Sequence, residues 1–291
     1  MNITKISKKI LDKKMMARFS TQVSQIRNKE ICVLVTGASR GIGKAIAEKF
    51  ASEYKDKAKI ALFGRSLEHP SHPKTQGTLL ETLKIVESYG AMGIPYSVDI
   101  QEADSLKESI KKAIKYMGGL DVLINNASVL YTNPTLNQMD LLYKVNTRAS
   151  LLSMKTCKTE LEKRNGTIVT ISPPIRLGRL DWISNHPEYT ISKYSMTLGT
   201  LAYGSNNIRA NCIWPRYTVA TSATMKLENE GFYGAYTKGR STKEFATAVF
   251  DLSISNLNTQ TIYDDDITTL PNTNAPLDVF AQECTKNLRK N

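Results

Sequence analysis

Tyr189 and Lys193 carry the most definite chemistry in the chain. They stand four residues apart in Tyr189-Thr190-Ile191-Ser192-Lys193, so on a helix their side chains share one face. An ammonium beside a phenol favours the phenolate and draws the phenol down from about 10 toward neutrality. Such a phenol is a usable general acid or base. A Tyr and a Lys at this spacing also occur by chance, so the weight falls on the residues around them. Asn146 lies inside a long helical stretch, in Lys144-Val145-Asn146-Thr147-Arg148. Asn is a poor helix-interior residue. It fits either a local kink that feeds a water chain or a tolerated surface amide.

A second constellation lies far upstream, in Val33-Leu34-Val35-Thr36-Gly37-Ala38-Ser39-Arg40-Gly41-Ile42-Gly43-Lys44. An apolar β-branched run stops at a glycine, two more glycines follow, and a helix-friendly segment begins. Gly37 permits the turn, Gly41 lets backbone approach a phosphate, and Gly43 lets helix pack on strand. Ser39, Arg40 and Ile42 fill the turn, and the first N–H groups of the new helix face an anion. Alone, the glycines also describe an ordinary strand-to-helix loop.

Phe63-Gly64-Arg65 ends the next strand, where dinucleotide folds place an acid against the ribose 2′-hydroxyl. No acid appears before Glu68. Arg65 stands there instead, with Arg40 in the glycine turn. Two guanidinium groups suit a 2′-phosphate, so the expected cofactor is NADP(H), ahead of NAD(H). Asp99 follows the third strand and can accept from an adenine amino group or simply form a turn. Asn125-Asn126-Ala127-Ser128 closes the fourth strand with small and amide residues, which fit a cofactor crevice, though a double Asn alone reads as a turn.

These residues need a frame. Apolar strand patterns at 31–35, 60–63, 93–97, 121–124, 167–171, 208–213 and 261–263 alternate with helical patterns at 42–54, 78–89, 104–117, 135–164, 188–203 and 241–256. Short apolar strands between helices predict a parallel sheet covered on both faces. The expected fold is α/β: a Rossmann-type doubly wound parallel sheet of about seven strands, one domain over 30–270. Asn165-Gly166 predicts the stop of the longest helix.

Composition narrows the alternatives. No apolar run is long enough to span a bilayer. Cys32, Cys157, Cys212 and Cys284 lack metal or redox spacing, and His69, His72 and His186 form no helical pair, so no metal site is expected. Residues 1–29 hold eight basic residues against one acid, Asp12, more than half of the formal +12. The rest is an unremarkable balance and a poor case for nucleic-acid binding. With Ile3, Ile6, Ile10 and Leu11 at helical spacing, this segment is expected to be a mitochondrial targeting sequence or, alternatively, a disordered or partner-binding basic arm; the expected location is mitochondrial, with cytoplasmic as the alternative. After Pro271, Leu277, Phe280, Ala281, Cys284 and Leu288 fall on one stripe of an expected tail helix over 271–291.

Taken in order, Thr36–Gly43, Asp99, Asn125–Ala127, Asn146, Tyr189 with Lys193, and Pro215 to Thr221 resemble the short-chain dehydrogenase/reductase family across 30–267. The joint match is far more specific than any part. The resemblance implies hydride transfer between a nicotinamide cofactor and a carbonyl or alcohol. Tyr189 would exchange the substrate proton, and Lys193 would lower its pKa and bind ribose. Asn146 would anchor a water linking Lys193 to solvent, and Thr221 would touch the carboxamide or phosphates. Gly37, Ser39, Arg40, Gly41, Ile42, Gly43, Arg65, Asp99, Asn126, Ala127, Tyr189, Lys193, Pro215 and Thr221 would line the cofactor.

Three departures qualify this. The family's catalytic serine falls at Pro173, with Ser172 one residue early; loss of such an oxyanion donor costs ~10²–10³ in rate unless Ser172 swings in. Arg216 replaces a glycine, and would narrow the nicotinamide pocket or point to solvent. The helix after Tyr189 breaks a turn early at Gly204, which puts the family's dimer face in doubt. A substrate lid is expected between Thr221 and Arg240, in Met225-Lys226-Leu227-Glu228 and Phe232-Tyr233, where aromatic and Met residues suit an apolar substrate or, equally, the core packing of a small helix. Asp264-Asp265-Asp266 reads as a solvated strand end. Two functions remain open: an NADP(H)-dependent oxidoreductase acting on a lipid-like small molecule, and a nucleotide-binding structural subunit of a larger mitochondrial assembly. A homo-oligomer is compatible with either.

Overall fold

The computed structural model describes residues 29–70, 76–178 and 180–269, without the side chains of 180–182 and 268–269. The basic segment up to residue 28 and the stripe after Pro271 lie outside the described residues. The chain opens with β1 (Ile31–Thr36), α1 (Gly41–Tyr54), β2 (Ala58–Gly64), α2 (Leu79–Ser88), β3 (Met92–Ser97) and α3 (Ala103–Met117). It continues with β4 (Val122–Asn125), α4 (Leu136–Leu142), α5 (Ala149–Arg164), β5 (Thr167–Ile171), α6 (Leu180–Asn185) and α7 (Pro187–Tyr203). β6 (Arg209–Trp214), α8 (Ser222–Asn229), α9 (Thr242–Ile254), β7 (Thr261–Tyr263) and α10 (Asp264–Thr269) complete it.

The seven strands form one parallel sheet in the order β3-β2-β1-β4-β5-β6-β7. This is the doubly wound arrangement expected from the alternating pattern. Its logic is visible in β1, where all six residues are buried. Val33 and Val35 pack on one face with Ile46 and Phe50 of α1 and Phe250 of α9. Cys32 and Leu34 pack on the other with Leu106 and Ile110 of α3 and Met154 and Leu161 of α5. A strand covered on both sides has no polar alternation to show, hence its continuous apolar run. The Phe50 and Phe250 rings meet edge to face at 5.1 Å, tying α1 to α9 across 200 residues of chain.

The helix expected over 135–164 is interrupted. α4 gives way to a π-helical turn at Tyr143–Arg148 before α5 begins. The inserted residue widens the turn exactly where Asn146 sits, the local distortion that an interior Asn signals. Asn165 then ends α5 in the left-handed region, φ 51°, as its pairing with Gly166 predicts. α7 stops at Tyr203, ahead of Gly204. Two short helices, α6 and α10, were not expected, and α8 falls within the expected lid.

Candidate active site

Strand order reverses between β1 and β4, so their carboxyl ends diverge and leave a crevice. A cleft of about 430 Å³ occupies it. Gly37, Ser39, Arg40, Gly41 and Ile42 line one side; Asn126, Ala127 and Ser128 line the other. Gly37 and Gly41 adopt φ +70° and +55°, which a residue with a Cβ rarely does. A Cβ at Gly41 would meet only the Thr221 side chain, 3.6 Å away, so backbone there faces open space. A Cβ at Gly43 would lie 2.2 Å from the Gly37 carbonyl oxygen and 2.6 Å from Asn126 Nδ2. Gly43 therefore closes helix onto turn, and lies beneath the cleft rather than in its wall. Asn126 braces the same turn, donating to the Thr36 carbonyl at 2.9 Å and the Gly37 carbonyl at 3.2 Å. No side chain caps the N-terminus of α1, and its first turn holds no acid.

Arg40 and Arg65 line the adjoining end of the cleft. Burial and the charge of Arg65 both push the Arg40 guanidinium below its ordinary value. Arg65 lies 3.8 Å from Asp99. Asp99 also lines the cleft, but its Oδ1 accepts from the Gln101 backbone N–H at 3.0 Å, the turn geometry foreseen as its alternative role.

Tyr189 and Lys193 occupy the first turns of α7, which opens with Pro187 at its first position. Lys193 is 2% exposed. Its Nζ donates to the Ile171 carbonyl at 2.6 Å, lies 3.5 Å from Ser128 Oγ, and sits 5.4 Å from the centre of the Trp214 ring. Burial pushes its pKa down to about 7. Burial also pushes the Tyr189 phenol up, and the group that pulls it back is the Ser128 hydroxyl, by a hydrogen bond. The expectation of a phenol drawn down by Lys193 is thus corrected. Helical spacing aligned the two residues, but the amine's tip is held by Ile171, not by the phenol.

Asn146 is fully buried and joins the two halves of the site. Its Oδ1 accepts from Ser128 Oγ at 3.0 Å and from Val129 N at 2.9 Å; its Nδ2 donates to the Val129 carbonyl at 3.0 Å and to Ser192 Oγ at 2.9 Å. Those four bonds use the amide's capacity. The side chain has none left for the water assigned to it by resemblance; it ties the loop after β4 to α7.

Ser172 does not reach the cleft. Its hydroxyl is fully buried and lies against the Cys212 thiol. Ser172 lies just past the end of β5, its N–H bonded to the Thr170 and Ile213 carbonyls, and neither it nor Pro173 lines the cleft. The thiol is itself pushed up to about 11 by burial. Pro215 follows β6 outside the cleft wall. Arg216 neither narrows the cleft nor points free into solvent: its guanidinium lies over the Tyr263 ring at 4.4 Å and bonds Asp266 at 2.6 Å, and its backbone N–H reaches Asp264 at 2.9 Å. Asp264 also takes Arg240 at 2.7 Å. The acidic run is a latch for two arginines, not a free strand end.

Thr221 lines the cleft and caps α8, accepting from Thr224 N at 3.3 Å. Lys226, Leu227 and Glu230 of the lid region face the cleft, with Lys226 5.5 Å from the Tyr131 ring. Met225, Phe232 and Tyr233 do not line it and are exposed. Leu130, Tyr131, Leu141 and Val145 supply apolar wall there. Tyr189, Lys193 and Asn146 stand behind the wall, and Ser128 is the lining residue that touches all three. Ser128 was missed as a site residue. Its only sequence signal was a hydroxyl at the carboxyl end of the strand facing the glycine turn. Among the described residues no group of three His, Cys, Asp or Glu could hold a metal, and no helix is long and apolar enough to cross a membrane.

Comparison with known proteins bears on this geometry. Residues 31–231 match the short chain dehydrogenase family. Hydroxysteroid dehydrogenase-like protein 2 of Mus musculus is 37% identical over 207 residues, 68% of this chain and 41% of that one. The Homo sapiens protein of that name is 37% identical over 207 residues and 48% covered, so the chain spans about half the length of the curated relatives it matches. A solved short chain dehydrogenase from Mycobacterium thermoresistibile superposes with TM-score 0.72 at 31% identity, over 82% of this chain and 86% of that one. Carveol dehydrogenase from Mycobacterium avium, in complex with NAD, shares the fold at TM-score 0.65 and 17% identity, over 81% and 96% of the two chains. With the family matched over two thirds of its length, on a sheet whose switch point opens beneath a glycine turn, the chain belongs to the short-chain dehydrogenase/reductase family, oxidoreductases that join a nicotinamide cofactor to alcohol and carbonyl chemistry.

Proposed function

We propose that the chain is an NADP(H)-dependent oxidoreductase that moves hydride to or from the carbonyl or hydroxyl of a lipid-like small molecule in mitochondria. The observation that carries this is the junction of Tyr189, Lys193 and Asn146 through Ser128 at the wall of the switch-point cleft. NADP(H) rather than NAD(H) is supported by Arg40 and Arg65. Two guanidinium groups line one end of the cleft, and no described carboxylate forms an ion pair with Arg40. A 2′-phosphate would relieve their repulsion and accept their hydrogen bonds. A lipid-like substrate is supported by Leu130, Leu141, Val145 and Leu227 in the cleft beyond Ser128. The mitochondrial assignment rests on the basic segment 1–29.

The residues present fit the dinucleotide. The uncapped α1 N-terminus and the open backbone at Gly41 would take the pyrophosphate. Bound nicotinamide supplies the hydride. Tyr189 would give a proton to the carbonyl oxygen in reduction and take it from the hydroxyl in oxidation. Lys193 would supply positive charge beneath it, and Asn146 holds the loop and helix in register.

The inward Ser172 favours a second reading, a nucleotide-binding subunit with little catalysis, in which one oxyanion donor is lost. One experiment separates the two. Purified protein is titrated with NADPH and NADH by fluorescence, then assayed with short- and long-chain aliphatic ketones and aldehydes beside Tyr189→Phe. Tighter NADPH binding and turnover abolished by the substitution support the enzyme. Binding without turnover of any carbonyl supports the subunit.

A further inference from the structure

The lid segment between β6 and α9 leaves the domain and rejoins it at one place. Its two feet pair as backbone: Arg240 N donates to the Thr218 carbonyl at 2.8 Å, and Ala220 N donates to the Arg240 carbonyl at 2.9 Å. This parallel bridge is centred on Val219, which is buried. A Cβ at Gly239 would lie 2.8 Å from Ala220 N, so the feet touch with nothing between them. Thr221 follows the bridge directly and stands against the glycine turn at Gly41. It opens α8, whose Ser222, Ala223, Lys226 and Leu227 line the cleft. Farther out the lid is tied to itself: the Glu228 carboxylate accepts from the backbone N–H groups of Tyr236 and Thr237 at 2.6 and 2.8 Å. A segment so tied is placed over the cleft by its feet. Both feet end on one carboxylate. Asp264 is 1% exposed; its Oδ1 accepts from Arg216 N at 2.9 Å, at the entry to the lid, and its Oδ2 accepts from Arg240 Nη1 at 2.7 Å, at the exit. A buried carboxylate is tolerated when paired and hydrogen-bonded, and removing one partner strands the other.

We propose that Asp264 is a positioning residue for nucleotide binding: by clamping the Arg216 N–H and the Arg240 guanidinium together it seats the lid over the glycine turn before a dinucleotide arrives. The inference rests on the nucleotide binding proposed above and not on turnover. Neither β7 nor α10 lines the cleft, yet through this carboxylate they set the position of its lid. The route is short: Asp264 fixes the Arg240 side chain, the Arg240 backbone fixes 218–220, and Thr221 is the next residue. The clamp uses the Arg216 N–H, which every substitution of that side chain but proline preserves. The Arg240 guanidinium also bonds Asp265, which is more exposed than Asp264 and adds less. A seated lid binds nucleotide without first being ordered. A lid seated only part of the time lowers the apparent affinity by the fraction of molecules that have it in place.

The test compares wild type with Asp264→Asn, Arg240→Met and Arg240→Lys. NADPH affinity is measured by fluorescence titration. Trypsin digestion well below the melting temperature, with cut sites read by mass spectrometry, reports on the lid without nucleotide. Asp264→Asn keeps an acceptor for Arg216 N and removes the charge that holds Arg240. Its apparent NADPH affinity is expected to fall about 10-fold, as for a lid seated in about a tenth of the molecules. Cleavage after Lys226 and Lys238, inside the lid, should rise by a similar factor, while cleavage after Lys49 and Lys111, outside it, keeps the wild-type rate. Saturating NADPH should restore protection of the lid. Arg240→Met should behave as Asp264→Asn does, and Arg240→Lys, which keeps the cation, should retain most of the affinity and the protection. A folded Asp264→Asn protein with wild-type affinity and wild-type lid cleavage overturns the clamp. Faster cleavage spread evenly over the lid and the rest of the domain also overturns it, because that reports lost stability and not a lost seat. Where Asp264→Asn does not fold, the Arg240 pair decides by the same readouts, and Arg240→Met indistinguishable from Arg240→Lys overturns the clamp. A wild type that binds neither NADPH nor NADH overturns the function proposed above, and this inference with it.

Discussion

Replacing Lys193 by Met should make the nucleotide-free protein more stable near neutral pH while removing catalysis. Lys193 is 2% exposed, and burial moves its amine from 10.5 to about 7. Each pKa unit is worth about 1.4 kcal/mol, so holding the charged form in the folded state costs up to ~5 kcal/mol. Met removes that cost and fills a similar volume. It also leaves the Ile171 carbonyl, now bonded by Nζ at 2.6 Å, without its donor, at a cost of about 1–3 kcal/mol. The net expectation is a gain of ~2–4 kcal/mol at or below neutrality, or roughly 5–15 °C in Tm for a domain of this size.

The pH dependence fixes the cause. Between about 7 and 10.5 the unfolded chain holds a proton on Lys193 that the folded chain has lost. Stability of the wild type therefore rises with pH across that window, and is lost as pH falls back toward the lower value. Met has no such dependence. The difference between the two proteins should be largest below neutrality and vanish or change sign near pH 10.5. Thermal unfolding of both proteins across this range, without nucleotide, measures it directly. A variant less stable than wild type near neutrality, or a difference that does not change with pH, would refute the claim that Lys193 is held against a desolvation penalty.

Four other substitutions probe the cleft and its frame. Arg40→Ala and Arg65→Ala should each weaken NADPH binding by ~10–10²-fold, the loss of a charged hydrogen bond, and leave NADH binding nearly unchanged; equal losses for both nucleotides in a fluorescence titration would remove the case for a 2′-phosphate. Gly43→Ala places a Cβ 2.2 Å from the Gly37 oxygen, so it should cost ~3 kcal/mol or more by overpacking and abolish nucleotide binding; unchanged unfolding midpoints would show that the turn yields easily. Arg216→Ala should lower stability by no more than ~1 kcal/mol, because its ion pairs are part-exposed, and should leave NADPH affinity unchanged. A tighter or weaker dissociation constant would place Arg216 in the pocket after all.

What could be read from the chain follows from how far each signal reaches. The sheet was legible because strand and helix periodicities are local, and the glycine turn because three glycines within seven residues each answer a separate steric demand. Thr167–Ile171 and Thr261–Tyr263 emerge with the bounds that their apolar runs imply. Asn146 announced a distortion because an amide in a helix interior has a cost, and the π turn is that distortion. The chemistry was less legible because it depends on side-chain tips. Helical spacing places Tyr189 and Lys193 on one face, yet the amine ends on a carbonyl 22 residues upstream. Ser172 lies past the end of its strand and is buried away from the cleft, which no local pattern announces. Ser128 has partners 18 and 65 residues away, beyond any local pattern. β4 is the neighbour of β5 in the sheet, and Ser128 lines the cleft from the loop just past its carboxyl end.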